Sequence, residues 1–123
     1  MRRFYILVFV LLATAFSRGD ASVLSNQDAA KVNAKYINVK LDNARARVFE
    51  STLKPGDKEA MHSHPASIVY VIEGGKVRNH SADGSVAEVE LKTGDVQYRE
   101  PLSHWAENIG TTTTRLIIVE LKN

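Results

Sequence analysis

Residues 56–65 of this 123-residue chain read GDKEAMHSHP, and this stretch decides the fold. It begins with a glycine that follows a proline, as in a tight turn, and it ends with a proline that stops a strand. Between them, His62 and His64 are two residues apart, so their side chains leave the same face of an extended strand. Two imidazoles on one face can share one metal ion. The stretch therefore predicts a turn, a short strand and part of a metal site.

On both sides of this stretch, hydrophobic residues alternate with a period of two rather than 3.6. Residues 37–41 alternate strictly, and residues 68–72 form a β-branched and aromatic run. Asp83-Gly84 separates two further alternating segments, which is a hairpin signal. We therefore expect about eight or nine short strands over residues 36–121 and no long helix, as in a small β-sandwich or closed barrel.

The first 21 residues have the pattern of a secretory signal peptide. Arg2 and Arg3 precede a nearly continuous apolar run over residues 4–16, and small residues follow up to Ala21. The apolar run is shorter than the roughly 20 residues that span a bilayer. We therefore expect cleavage with no stable membrane anchor afterwards, and export to the periplasm or the medium.

The sequence after the predicted signal peptide is expected to form one domain. Residues 22–35 are polar and rich in alanine, which predicts a linker or a short helix opened by Ser25 or Asn26. Residues 36–121 carry all the predicted strands. A domain of this size has a small core, so association into a homodimer would add to its stability.

Composition and charge exclude several classes of function. The chain holds 16 Lys and Arg against 14 Asp and Glu; residues 1–21 hold three of the basic and one of the acidic residues, which leaves 13 of each. With no excess of positive charge, nucleic-acid binding has no electrostatic basis. The absence of cysteine excludes disulfides, thiolate catalysis and a lipid anchor on cysteine.

A third histidine completes the predicted site. His104 follows His64 by 40 residues and stands at the start of another predicted strand. A barrel or sandwich can bring such strand starts together at one mouth. Three neutral imidazoles leave an open position for water or substrate, and the divalent ion could be Zn, Fe, Ni, Cu or Mn. The remaining histidine of this part, His80, is near a hairpin tip and is expected to be solvent-exposed.

The two histidine segments resemble the two motifs of the cupin superfamily. The first is carried by Gly56-x5-His62-Ser63-His64 with Glu73-Gly74 after it, and the second by Gly94-Asp95, Pro101, His104 and Asn108. The resemblance covers about residues 36–121 and is closest to the small single-domain cupins. It implies an all-β fold, a double-stranded β-helix or jelly-roll barrel, with a metal on His62, His64 and His104. It also implies a homodimer.

Two departures from the family pattern affect the expected chemistry. Ser67 stands where the family has a metal-binding glutamate, and the second motif lacks its P-x-G turn before His104. Three neutral ligands leave the full double charge on the ion, which favours an anionic substrate. Cupins with a similar three-histidine arrangement include dioxygenases, so one hypothesis is an oxygenase-like enzyme acting on a small anionic molecule. The alternative is a non-catalytic ligand-binding or structural barrel, and whether the protein is an enzyme stays open.

Three further residues are candidate substrate contacts. Ser67 occupies the vacated ligand position. Val96 and Tyr98 are expected to face the barrel interior, where the Tyr98 hydroxyl could bind a ligand. Glu100 shares that face and could approach the mouth of the site. A solvated strand end is the alternative for Glu100, and a packed core position for Tyr98.

The roles expected of the other conspicuous residues are structural. Trp105 should point away from the face that carries its neighbour His104. Asn108 is expected to secure a turn or the backbone. Arg45 and Arg47 are expected to form surface ion pairs with carboxylates such as Glu50.

Overall fold

A computed structural model describes residues 27–123; the predicted signal peptide lies outside the described residues, and so do Ser25 and Asn26. The described residues form one short helix and nine strands: α1 (Ala29–Val32), β1 (Ile37–Asp42), β2 (Ala46–Leu53), β3 (His62–His64), β4 (Ser67–Glu73), β5 (Gly75–Ser81), β6 (Val86–Leu91), β7 (Val96–Arg99), β8 (Leu102–Asn108) and β9 (Thr114–Leu121). Within residues 27–123, no helix has the length and apolarity needed to cross a bilayer.

The strands form two antiparallel sheets. The larger has the order β1-β2-β9-β4-β7, and the smaller has the order β3-β8-β5-β6. Every paired neighbour is antiparallel, and most strands pair with strands distant in sequence, as β2 does with β9. This is the double-stranded β-helix implied by the resemblance to the cupin motifs, and its short strands agree with the two-residue period.

The core lies between the two sheets, where alternate residues of each strand are buried. In β4, Val69 and Val71 are fully buried while Ile68 and Tyr70 are exposed. One apolar cluster contains Ala29, Phe49, Val69 and Ile118, and a second contains Val71, Val77 and Leu91. The period of two therefore places one face of each strand inside the barrel.

Asn108 secures the crossing from β8 to β9. Its buried amide nitrogen donates to the carbonyls of Leu53 and Thr112, each at 2.8 Å, and its oxygen accepts from the Gly110 N–H at 2.9 Å. A buried amide with all these partners is satisfied by the backbone. Asn108 has the structural role expected from the sequence.

The structure corrects the predicted start of the helix. Asp28, rather than Ser25 or Asn26, caps α1, because its carboxylate accepts from the backbone N–H groups of Ala30 and Lys31. The helix has four residues, and it packs through Ala29 against the core.

The predicted orientation of β7 is wrong. Val96 is 66% exposed and Tyr98 59% exposed, while the half-buried Gln97 and Arg99 face inward. The cause is the pairing with β4: Tyr98 lies opposite the exposed Ile68 and therefore shares its outer face. Alternation alone could not decide this, because both faces of the larger sheet carry apolar residues.

Candidate metal centre

Three imidazoles meet inside the barrel on the smaller sheet. His62 and His64 project from one face of β3, and β8 pairs with β3 so that His104 lies directly opposite His62. The residues are 1%, 7% and 5% exposed, respectively. One ring nitrogen from each lies within 4.8 Å of the other two. Nitrogens that bind one ion at about 2.0–2.1 Å are separated by up to roughly 4 Å. A small inward shift of the three side chains would therefore bring all three nitrogens within bonding distance of one ion.

The ring of His62 is oriented by backbone and amide contacts. Its Nδ1 lies 2.7 Å from the carbonyl oxygen of Ala60 and 2.9 Å from the amide nitrogen of Asn33, and these two contacts hold the ring in place. The buried Asn33 holds this segment by accepting from the Ala60 N–H at 2.7 Å and donating to its carbonyl at 3.1 Å. Because these contacts occupy Nδ1, Nε2 is the nitrogen of His62 that is available to a metal.

A chain of charged residues that starts at the buried Glu120 orients His64. Its Nδ1 donates to the Glu120 carboxylate at 2.8 Å, which leaves Nε2 free for a ligand bond. The other oxygen of Glu120 accepts from Arg47 at 2.8 Å, and Arg47 in turn donates to Asp28 at 2.7 Å. A carboxylate behind a ligand histidine fixes its tautomer and increases its basicity.

The imidazoles of His62 and His104 are neutral at neutral pH. Burial lowers the pKa of His62 to about 4, and burial, with smaller contributions from His62, His64 and Arg99, lowers the pKa of His104 to about 3. Metal ions bind the neutral form of imidazole, so burial keeps these two rings competent as ligands into mildly acidic solution.

A buried carboxyl group that the sequence reasoning missed lies beside the histidines. Glu59 accepts from the Ala106 N–H at 3.0 Å, and its carboxylate lies 3.8 Å from Nε2 of His62. Burial raises the pKa of Glu59 to about 7, and the Ala106 N–H and the Arg99 charge only partly oppose this. Glu59 precedes the histidine pair, where the family motif does not place its glutamate.

Arg99 was also missed. It points into the barrel from β7, opposite Ser67 of β4, and burial lowers its pKa even though the nearby Glu59 opposes this. Neighbouring strand residues point to opposite faces, so the wrong prediction that Tyr98 faces inward also places Arg99 on the outside of the barrel. For this reason the sequence does not indicate Arg99 as a site residue.

The space around the histidines is small and has two parts. An interior cavity of about 30 Å³ is lined by apolar core residues and by Ser51, Glu59, His62, His64, Asn79, Arg99, His104 and Thr114. It has room for an ion and one or two waters. A groove of about 290 Å³ shares Asn79, Arg99 and His104 with it and is otherwise lined by Ser81, Ala87, Val89, Gln97 and Leu102.

None of the three candidate substrate contacts lines the interior cavity or this groove. Ser67 is 2% exposed and is covered between its sheet neighbours, opposite Glu120 and Arg99. Tyr98 lies on the outer face, and Glu100 is exposed just after the end of β7. Contact between these residues and a substrate stays an untested prediction, and the geometry gives it no support.

Two expectations about surface residues need correction. Arg47 does not form a surface pair with Glu50; it is half-buried and pairs with Asp28 and Glu120, while Glu50 pairs with Arg115. His80 is not free in solvent. Its ring stacks on Trp105 at 3.7 Å on the side of the sheet away from His104, which agrees with the predicted direction of Trp105.

The fold and the centre together define a class. Two antiparallel sheets that enclose three buried histidines able to hold a metal ion make this a double-stranded β-helix protein with an internal metal-type site. The family model for the cupin domain matches residues 49–120, a segment that contains all three histidines. The chain belongs to the cupin family.

Solved structures agree with this assignment. A cupin domain from Bordetella pertussis is 25% identical over 71% of this chain and 92% of that chain, with a TM-score of 0.65. A double-stranded β-helix protein from Klebsiella pneumoniae is 26% identical over 73% and 87%, with a TM-score of 0.56. An RmlC-like cupin from Methanocaldococcus jannaschii, 15% identical over 73% and 84% with a TM-score of 0.56, shows the fold alone. No curated protein matches the sequence.

The buried histidines predict that the metal-free protein loses stability as the pH falls from about 6.5 to about 4.5. Unfolded histidines titrate near 6.5, whereas folded His62 and His104 titrate at about 4 and about 3, so the unfolded state binds more protons in this window. Each histidine lowers the free energy of unfolding by roughly 1.4 kcal/mol per pH unit. Glu59, with its folded pKa raised to about 7, takes up a proton on folding and offsets one histidine.

Urea unfolding of chelator-treated protein at a series of pH values measures this effect. The variant Glu59→Gln lacks the offset, so its free energy of unfolding should fall about twice as steeply as that of the wild type. A free energy of unfolding that stays constant in this variant between pH 6.5 and 4.5 would contradict the description of the centre.

Proposed function

We propose that this protein is an exported cupin that binds a divalent metal ion through His62, His64 and His104 and acts on a small anionic molecule at that ion. The observation that carries the proposal is the convergence of three buried histidines whose ring nitrogens lie within 4.8 Å of one another; in His62 and His64 the Nδ1 atom is held by hydrogen-bonding partners. Orientation of this kind is typical of metal ligands rather than of core histidines.

The preference for an anion follows from charge. The three ligands are neutral, so a bound divalent ion keeps its full charge, and Arg99 adds another positive charge at the cavity. Glu59, whose pKa is raised by burial to about 7, compensates only partly. A small anion that enters from the groove therefore meets a site of net positive charge.

An oxygenase-like reaction is the enzymatic form of this proposal. The metal would supply a Lewis acid or an O2-binding position at its open coordination sites. The chain itself contributes exclusion of bulk water by the closed barrel and a carboxyl group, Glu59, 3.8 Å from Nε2 of His62. That group lies where it can exchange a proton with a bound ligand.

Binding without turnover is the second candidate. The interior cavity of about 30 Å³ is too small to enclose a substrate together with the ion, and Ser67 offers no ligand carboxylate. Both features suit a protein that holds a ligand in the outer groove.

Export is proposed on the charge and hydropathy pattern of residues 1–21, whose cleavage would leave the folded domain free of an apolar segment.

Metal content separates the metal proposal from a structural barrel. The mature protein, residues 22–123, purified without chelators should contain close to one transition-metal ion per chain by elemental analysis. His62→Ala and His104→Ala should each lose most of that metal, since two imidazoles bind divalent ions far less tightly than three. His80→Ala is the matched control and should keep it, because His80 stacks on Trp105 away from the site.

Equal, substoichiometric metal in the wild type and all three variants would refute the metal site. If the bound ion is iron, O2 consumption with small carboxylates, thiols or diketones supports the enzymatic form. A stoichiometric ion with no O2 consumption supports ligand binding.

We also propose that the outer face of the larger sheet joins two copies of the chain. One row of apolar side chains crosses all five strands in register: Leu41, Val48, Val119, Ile68 and Tyr98. A second row contains Ile117, Tyr70 and Val96. Five strands spaced about 4.8 Å apart make this outer face roughly 20 Å wide. The rows form a continuous apolar patch, whereas apolar residues on ordinary protein surfaces are scattered singly.

A second copy is the favoured occupant of the outer face. The first row contains no charge, so the same row on a twofold-related copy can cover it without burying an unpaired ion. The small core of a domain of this size also gains most from such burial.

Sedimentation velocity tests the dimer. The wild type should sediment as a dimer, and Tyr98→Glu should sediment as a folded monomer, because it places a charge within the apolar row. Val86→Glu is the control, since Val86 is similarly exposed, at 55%, but lies on the smaller sheet. A monomeric wild type, or an equal effect of both substitutions, would refute the interface.

A further inference from the structure

The groove beside the metal centre is built differently from the interior cavity. It offers about 290 Å³ against about 30 Å³, and it meets the cavity at Asn79, Arg99 and His104. The polar side chains of its wall also include Ser81 and Gln97. A ligand larger than a water or two therefore has to lie in the groove, with His104 and Arg99 beside it.

Arg99 differs from the other arginines of the described strands in having no carboxylate partner. Arg47, Arg78 and Arg115 each contact two carboxylates. Across the described part of the chain, Arg99 forms no ion pair, and its one polar side-chain contact is a long one of 3.5 Å to Gln97 Oε1.

An unpaired guanidinium on an inward face is unfavourable. Removing a charge from water without a partner destabilises the folded state, and for Arg99 the effect appears as a lowered pKa that has burial as its main cause. Glu59 is near enough to oppose this shift but too far to form an ion pair. The charge therefore lacks a counter-ion at the point where the groove opens.

We propose that Arg99 is a ligand-binding residue that anchors the carboxylate of a small organic acid in this groove. A guanidinium presents a planar fork of N–H donors that matches a carboxylate in bidentate geometry. Asn79, Ser81 and Gln97 supply hydrogen-bonding groups for the rest of the molecule. The proposal deepens the proposed function by naming the anion's class and its anchor, and it rests on that function only for the role of the metal.

The test uses the mature protein and a panel of defined probes: acetate, succinate and 2-oxoglutarate, with succinamide as the uncharged control. Isothermal titration calorimetry of the metal-free and zinc-loaded protein should show binding of at least one carboxylate at millimolar or lower concentration and none of succinamide. Binding should persist in the metal-free form, because Arg99 contributes without the ion.

Arg99→Gln should weaken carboxylate binding about tenfold or more, and Arg99→Lys should weaken it less, because lysine keeps the charge and loses the fork. Arg45→Gln, which changes an exposed arginine in the turn between β1 and β2, should bind as the wild type does. The melting temperature of ligand-free Arg99→Gln should equal or exceed that of the wild type, since an unpaired charge is removed. A purely structural arginine would give the opposite change.

Failure of this proposal and failure of the metal proposal are distinguishable. Zinc content that is equal in wild type and Arg99→Gln, together with carboxylate binding lost only in the variant, supports the anchor. Carboxylate affinities that are the same in both proteins, or the absence of binding for every carboxylate probe to the wild type, would overturn it whatever the metal content is.

Discussion

The carboxylate of Glu120 is the contact on which the arrangement of the centre depends. It lies on β9, near the middle of the larger sheet, yet it accepts a hydrogen bond from His64 of the smaller sheet at 2.8 Å. Through Arg47 it is joined to Asp28, which caps α1. One residue therefore ties together both sheets, the helix and a ligand histidine. Glu120 is buried while Arg47 and Asp28 are half-buried, so removing Arg47 would leave the buried Glu120 carboxylate without its cationic partner, which is destabilising in a protein interior.

The same constraint explains the character of the site. Burial that makes the barrel stable also keeps His62 and His104 neutral, with pKa values of about 4 and about 3. Neutral rings can hold a metal ion, but they cannot balance its charge. Ser67, which is covered, stands where the family usually has a carboxylate. The charge of a bound ion is therefore left to be neutralised by Glu59 and by a ligand. The unpaired Arg99 adds positive charge at the groove and so favours the binding of an anion there.

The sequence predicts the parts of this structure that depend on local pattern. Strand periodicity and turn residues predict a small sandwich or barrel, and the resemblance to the cupin motifs implies the convergence of His62, His64 and His104. It does not predict which face of β7 is inside, since that depends on pairing with β4 across the sheet. Arg99 and Glu59 acquire their significance only through burial against distant strands, which no local pattern of the chain records.

The central claim is that one metal ion is bound by three imidazoles inside this barrel. Anomalous diffraction from crystals of the zinc-loaded mature protein, recorded at the zinc edge, tests it most directly. We expect a single strong peak about 2.0–2.1 Å from one ring nitrogen each of His62, His64 and His104. A peak elsewhere on the protein, or the absence of any peak in zinc-loaded crystals, would contradict the account.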